Sequence, residues 1–350
     1  MLRNMSHPGS PSRLWVLALV LSGLLWAVPT GAQTCQTSAE MDGATRSALD
    51  SAAHRIFDMG SRGDTAALKQ NAIPSLAADF SGIAAAVADN QAAFTGAQAT
   101  SRSIFLLQAA SSGAPGSGAA SGSEFLCGVF GSLGQTSGSS VFVIPNLPAG
   151  KYGIVILDVK GPQGAYTLSL VLQQLDSQLN TWKLGGFYPK LAQVSGHDGQ
   201  WFLERAREYK AKSQNHNAWY YYLEARDLLA PLPFVSTLAT DKLYDEAQAV
   251  KPADLPSSAA PMSLAAGAGK ICKVTALFPL VVGGQFDLVV KYDATDVSNS
   301  ALTFAQNSGV MKALLAKYPE VRDAFDAVVA RAVEPSGRDY GSMLQMKDIK

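Results

Sequence analysis

The sequence predicts an α+β chain: a cone-like, curved antiparallel sheet with N-terminal helices, then a helical hairpin, then a small C-terminal α+β domain. Three observations carry this prediction. Residues 42–94 are alanine-rich with apolar positions at helical spacing, residues 103–188 fall into short apolar runs divided by turn residues, and residues 196–250 return to a helical period before strands resume. A chain of 350 residues with 47% apolar composition can bury a sizeable core and has room for two or three such units.

The first element is a leader. Arg3 and Arg13 precede the apolar run Leu14 to Val28, and "PTGA" follows, which reads as a secretory signal over residues 1–32, cut after Ala32. An uncleaved anchor is the competing reading, but fifteen apolar residues rise only about 22 Å as a helix, short of the roughly 30 Å of a hydrocarbon core. Gln33 and Thr34 stand where a lipoprotein signal needs small residues before Cys35. The sequence thus predicts a periplasmic or extracellular protein with no membrane span after signal removal. In that oxidising setting Cys35, Cys127 and Cys272 leave one pair and one thiol. Three pairings are open; Cys35 with Cys127 is preferred, because it ties the mature N-terminus to the strand "EFLCGVF".

Helices come next. "ATRSALDSAAHRIFDMG" sets Ala48, Ala52, Ile56 and Met59 on one stripe, closed by Gly60 and Gly63. Asp64 is placed to cap a short helix over Ala66 to Gln70, and Ser81 to Phe94 gives a third. After Arg102 the period becomes that of strands. "SIFLLQA" is followed by the Gly/Ser/Ala loop 110–123, then by "EFLCGVF", "SSVFVIP", "KYGIVILDV", "AYTLSLVLQQL" and "TWKLGGFY", six strands expected in one curled sheet.

Helices followed by such a sheet, with "FDMGSRGDTAAL" (Phe57 to Leu68) and "NTWKLGGFY" (Asn180 to Tyr188), resemble the nuclear transport factor two-like cone domain over residues 42–188. That resemblance implies a helix-backed cone and no particular activity, because the fold hosts both enzymes and binding modules.

Residues 196–250 read as two helices split by "KSQNHN" and a third over Asp241 to Val250. Tyr209, Ala218, Tyr222, Ala225 and Leu228 stand at the spacings of a tetratricopeptide repeat, so the pair resembles one such hairpin, docked onto the cone. Ala206 replaces the usual glycine and Pro231 falls one residue late. Tyr220 lies about 200° round the helix from Tyr222, so it and Trp219 are expected on the cone or against a partner. More loosely, "GGFYPK", "GHDGQW" and "NAWYYYLEARDLL" look like exported proteins of Acidobacteria-type soil bacteria, a likeness that implies export alone.

Residues 251–270 form a Pro/Ala/Ser/Gly linker. Beyond it a Gly-Gly hairpin, a helical stretch and an "EPSGR" hairpin make the C-terminal α+β domain, 271–350.

Chemistry was sought in the remaining residues. Charges balance at 28 basic and 28 acidic, so nothing favours nucleic acid. There is no G-x-S-x-G elbow, and neither "GSGAASG" nor "GAGKI" completes a nucleotide loop. The mature chain's His54, His197 and His216 have no metal-ligand spacing. No catalytic residue, metal or cofactor is therefore assigned; Tyr152, Asp158 and Tyr166 are the polar strand residues that a small-molecule isomerase or dehydratase, using the cone cavity, would need. His197 is either a neighbour of an Asp198 helix cap or a proton carrier. The expected role is binding of a protein or a small apolar ligand through Trp201, Trp219, Tyr220 and His197, since aromatic anchors dominate interfaces.

Overall fold

The computed structural model describes residues 33–110, 123–132, 134–176, 181–266 and 270–350. The predicted leader, most of the Gly/Ser loop, the turn before Thr181 and part of "GAGKI" lie outside them.

The chain is α+β, as its periodicities require. Strand β1 (Thr34–Thr37) leads to helices α1 (Gly43–Ser61), α2 (Thr65–Gln70), α3 (Pro74–Ala78) and α4 (Ser81–Phe94). Asp42 and Asp64 cap α1 and α2 by accepting from the N–H groups of Thr45 and Ala67. Then come β2 (Gln98–Ala109), β3 (Ser123–Cys127), the short pair β4 (Phe130–Gly131) and β5 (Gly134–Gln135), β6 (Ser140–Ile144), β7 (Gly150–Gly161), β8 (Gly164–Asp176) and β9 (Thr181–Leu191).

The six expected strands divide between two sheets. One has the order β1-β2-β7-β8-β9, fully antiparallel, with register shifts at Ser101/Ser103, Val171/Leu172 and Gln174/Asp176 of the kind that bend strands. The other contains β3 and β6. The cause is visible in β7, where Ile154 to Leu157 are buried without alternation, the mark of a strand covered on both faces. Val155, Leu157 and Val159 pack with Leu49, Ile56, Phe57 and Phe94 of the helices. Ile154 and Ile156 pack with Phe125, Cys127 and Phe142 of the second sheet. Gly153 is obligatory here, since a Cβ would lie 2.1 Å from Leu49 Cδ2. A disulfide joins Cys35 to Cys127 and ties the two sheets at their edge; Cys272 is a buried free thiol.

After the bridge β10 (Gln193–Val194) with β11 (His197–Asp198) come α5 (Gly199–Ala211) and α6 (Asn215–Leu229), then β12 (Val235–Thr237) and α7 (Leu238–Gln248). Two features depart from expectation. Strand β12 pairs with β6, so the chain returns from the hairpin to complete the second sheet. The hairpin shares its main buried cluster with the C-terminal sheet: Phe202, Tyr209, Tyr220 and Tyr221 pack with Leu277, Phe286, Leu288 and Phe325. Gly199 permits the tight α5–α6 contact, since a Cβ there would meet Leu229 Cγ at 2.7 Å.

The C-terminal sheet has the order β13-β14-β15-β16-β17, built from β13 (Met262–Ala265), β14 (Ile271–Val282), β15 (Gln285–Asp293), β16 (Ala327–Val333) and β17 (Asp339–Gln345). Gly283 and Gly284 both have positive φ, 59° and 83°, which the predicted Gly-Gly hairpin demands. Helix α8 (Ser300–Lys317) and the 3-10 turn Pro319–Asp323 cross over between the parallel neighbours β15 and β16. The expected linker is not wholly loose, because its "MSLA" segment forms β13 against Ile271 to Val274.

Candidate functional site

The three tyrosines of α6 address three different elements. Successive helical residues are turned by about 100°. Tyr220 donates to the carbonyl of Leu277 on β14 (3.2 Å), Tyr221 to the carbonyl of Ala324 (2.6 Å), and Tyr222 to Glu246 of α7 (3.0 Å). Burial raises the Tyr222 phenol to about 12 and moves those of Tyr220 and Tyr221 further in the same direction. Tyr209 adds a fourth such bond, to Asp323 (2.6 Å).

The placing of Trp219 and Tyr220 on a partner-facing surface is therefore corrected. Tyr220 is 1% exposed and Trp219 9%, with the Lys251 ammonium 5.5 Å above the indole ring. The 200° separation from Tyr222 was sound geometry, but the C-terminal sheet supplies the second wall that a lone hairpin lacks. Trp201 and His197 remain half-buried and stack on each other, centroids 3.6 Å apart and planes 7° from parallel. Asp198 caps α5 through the Trp201 N–H (2.9 Å).

The helix-facing side of the first sheet is filled with side chains, among them Leu49, Phe57, Leu168, Leu170 and Leu184. Tyr152 and Asp158 do share a face, yet each is committed: the Tyr152 hydroxyl donates to Pro148 (2.9 Å) and Asp158 pairs with Arg102 (3.2 Å). Tyr166 lies on the opposite face, edge-on to Phe94. Nothing here joins an acid to a base around a chamber.

Open clefts occur where the units meet. One of about 510 Å³ runs along the end of α6, lined by Tyr188, Lys190, Arg226, Asp227 and Pro231 to Pro233. Lys190 spans its floor, 2.9 Å from the Asp227 carboxylate and donating to the carbonyls of Asp227 and Ala230, so it closes the α6 C-terminus. Close by, Glu224 is buried, and desolvation followed by the charge of Asp227 lifts its carboxyl to about 7, against the pull of Lys190. A second cleft of about 570 Å³ lies between Gln163 to Tyr166, Ser195 and Gly283. Ser195 anchors that junction, donating to Asp326 (2.8 Å) while its own N–H reaches Gly284 (2.6 Å). Among the described residues, no group of three or more His, Cys, Asp and Glu side chains is placed to hold a metal ion.

The feature that sequence reasoning missed is the outer face of the C-terminal sheet. Register places Phe278, Val289, Val329 and Met343 in one row across four strands, a span of about 14 Å. Phe278 is 39% exposed, Met343 45%, and the adjacent Leu280 and Val282 45% and 38%, whereas Val289 between them is only 2% exposed. Lys291 and Arg331 line the next row. The alternation in "FPLVV" and "SMLQ" was the available signal, but strand pairing was needed to see one face.

Comparison of the chain with protein-family models, curated proteins and solved structures finds no match. No helix among the described residues is long and apolar enough to cross a membrane, which together with the disulfide is compatible with export.

Proposed function

We propose that the chain is an exported, non-catalytic binding or scaffold protein of the bacterial periplasm or envelope, and that its recognition face is the outer surface of the C-terminal sheet. The carrying observation is the exposed apolar set Phe278, Leu280, Val282 and Met343 on one face of the C-terminal sheet, with the buried Val289 and half-buried Val329 between Phe278 and Met343 and with Lys291 and Arg331 along the next row. An exposed apolar sheet face favours a protein partner over a small molecule, whose sites are concave. The chemistry suits a partner surface with an apolar centre. Export is supported by the leader's pattern and the disulfide. The helix-backed first sheet, with its likeness to the nuclear transport factor two-like cone, would serve as scaffold.

The test is site-specific photocrosslinking in intact cells, with the reactive residue at Phe278 or at Trp201. A heteromeric product formed from Phe278 and lost on Leu280→Asp supports the assignment. Crosslinking from Trp201 alone moves recognition to the His197–Trp201 stack, and a product of two copies of this chain replaces the foreign partner; either result overturns the assignment.

A further inference from the structure

We propose that the groove around Tyr166, between the first sheet and the β14–β15 hairpin, binds a neutral oligosaccharide, at a site separate from the outer sheet face. The cleft of about 570 Å³ beside that hairpin continues into one of about 290 Å³ beside the start of α5. The two share Ala165, Tyr166 and Gln193, so they meet across the Tyr166 side chain as one extended trough. Their sizes are on the scale of small-molecule sites.

Charge narrows the class of ligand. The side chains lining the larger cleft carry none. In the smaller cleft Arg102 and Lys160 balance Asp158 and Asp198. Three of these four are already committed, Arg102 to Asp158 at 3.2 Å and Asp198 to the α5 cap. The trough therefore concentrates no field of either sign for an ionic ligand.

What it offers is unspent hydrogen-bonding capacity. The side-chain amides of Gln163 and Gln193 and the hydroxyl of Tyr166 have no hydrogen-bond partner among the described residues. Each of these groups both donates and accepts, as a sugar hydroxyl does, so neighbouring hydroxyls can be met in either sense. The backbone adds to them. Gly164, Gly196, Gly283 and Gly284 line the larger cleft, and a Cβ at any of them would meet nothing within 4 Å, so their main chain lies open to a ligand.

Tyr166 supplies the apolar half of the match. It is half-buried, and its ring is fixed edge-on to Phe94, with centroids 5.7 Å apart and planes at 86°. A pyranose carries C–H groups on its faces and hydroxyls round its rim; an aromatic body with a polar tip, set among amides, answers both. Because this ring stands where the two clefts join, a chain of sugars running through both fits the trough better than a single sugar.

Calorimetric titration of the full mature chain with cellotetraose, with tetra-N-acetylchitotetraose and with the anionic tetragalacturonate tests this. At least one of the two neutral sugars should bind with a Kd below about 1 mM, and tetragalacturonate about tenfold more weakly. Gln193→Ala, at an exposed position, should weaken binding by about fivefold, the scale of one neutral hydrogen bond. Tyr166→Ala should weaken it by more than about tenfold, and the exposed Gln193 variant keeps the test usable should Tyr166→Ala misfold. Met343→Asp, on the outer sheet face, should bind as wild type does, so the groove and that face can fail separately. No binding of either neutral sugar, equal or tighter binding of tetragalacturonate, an affinity unmoved in Gln193→Ala or in folded Tyr166→Ala, or an affinity lost in Met343→Asp overturns the proposal.

Discussion

Glu224 gives the sharpest energetic prediction. Its carboxyl stands at about 7 instead of 4.5, chiefly through burial beside the α6 end. A raised acid pKa means that the folded state holds a proton the unfolded chain has released. Its favourable contribution is therefore complete below pH 4.5 and is lost as pH rises to 7. At about 1.4 kcal/mol per pKa unit, a rise from 4.5 to about 7 corresponds to about 3 kcal/mol of destabilisation above neutrality. Glu224→Gln keeps the shape of the protonated acid and cannot ionise. Urea denaturation of both proteins at pH 4, 6 and 8 should show the variant matching wild type at pH 4 and exceeding it by up to about 3 kcal/mol at pH 8. A difference that does not change with pH, or a variant weaker than wild type at pH 8, would refute burial as the origin of the shift.

Three further outcomes follow from the packing. Replacing Cys35 and Cys127 together by serine opens a loop of sequence separation 92 and should cost about 4–5 kcal/mol, read as a lower thermal midpoint that reducing agent no longer shifts. Trp219→Ala should cost about 3–5 kcal/mol because the indole is a core group, whereas an unchanged midpoint would return it to the surface. Asp198→Ala should lose about 1 kcal/mol by removing the α5 cap, measured by chemical denaturation, and should leave the His197–Trp201 stack to be checked by near-ultraviolet dichroism.

Much of the fold was legible because it rests on local chemistry. The Asp64 cap, the Gly283-Gly284 turn and the helical stripe of "ATRSALDSAAHRIFDMG" each act within a few residues, and each element stands where its pattern placed it. The preferred pairing of Cys35, just before the first predicted helix, with Cys127 in an apolar strand is the one the structure has. What escaped depends on distant neighbours. Strand β12 has three residues and acquires its identity from β6 alone, and β13 is hidden in a composition that suits linkers. The placing of Trp219 and Tyr220 failed because a second wall, 57 residues further on at Leu277, was not foreseeable from helical phase. His216 looked isolated because Asp254 lies 38 positions away and Glu320 follows α8. Apolar strand residues likewise do not say whether a layer will cover them, so the exposed residues around Phe278 could not be told from core by pattern alone.

The return of Val235–Thr237 to β6 sets the order in which the chain can cover its surfaces as it emerges. Threaded from its N-terminus, the Ser123–Ile144 ladder must wait with a bare edge while the whole hairpin follows, and the hairpin's tyrosines must wait again for β14 to arrive. Each pause leaves apolar surface and an unpaired edge uncovered. A polypeptide stopped near residue 250 would hold the completed β3-β6-β12 sheet but an open aromatic cluster, so the tyrosines of the hairpin are covered only when the C-terminal strands arrive.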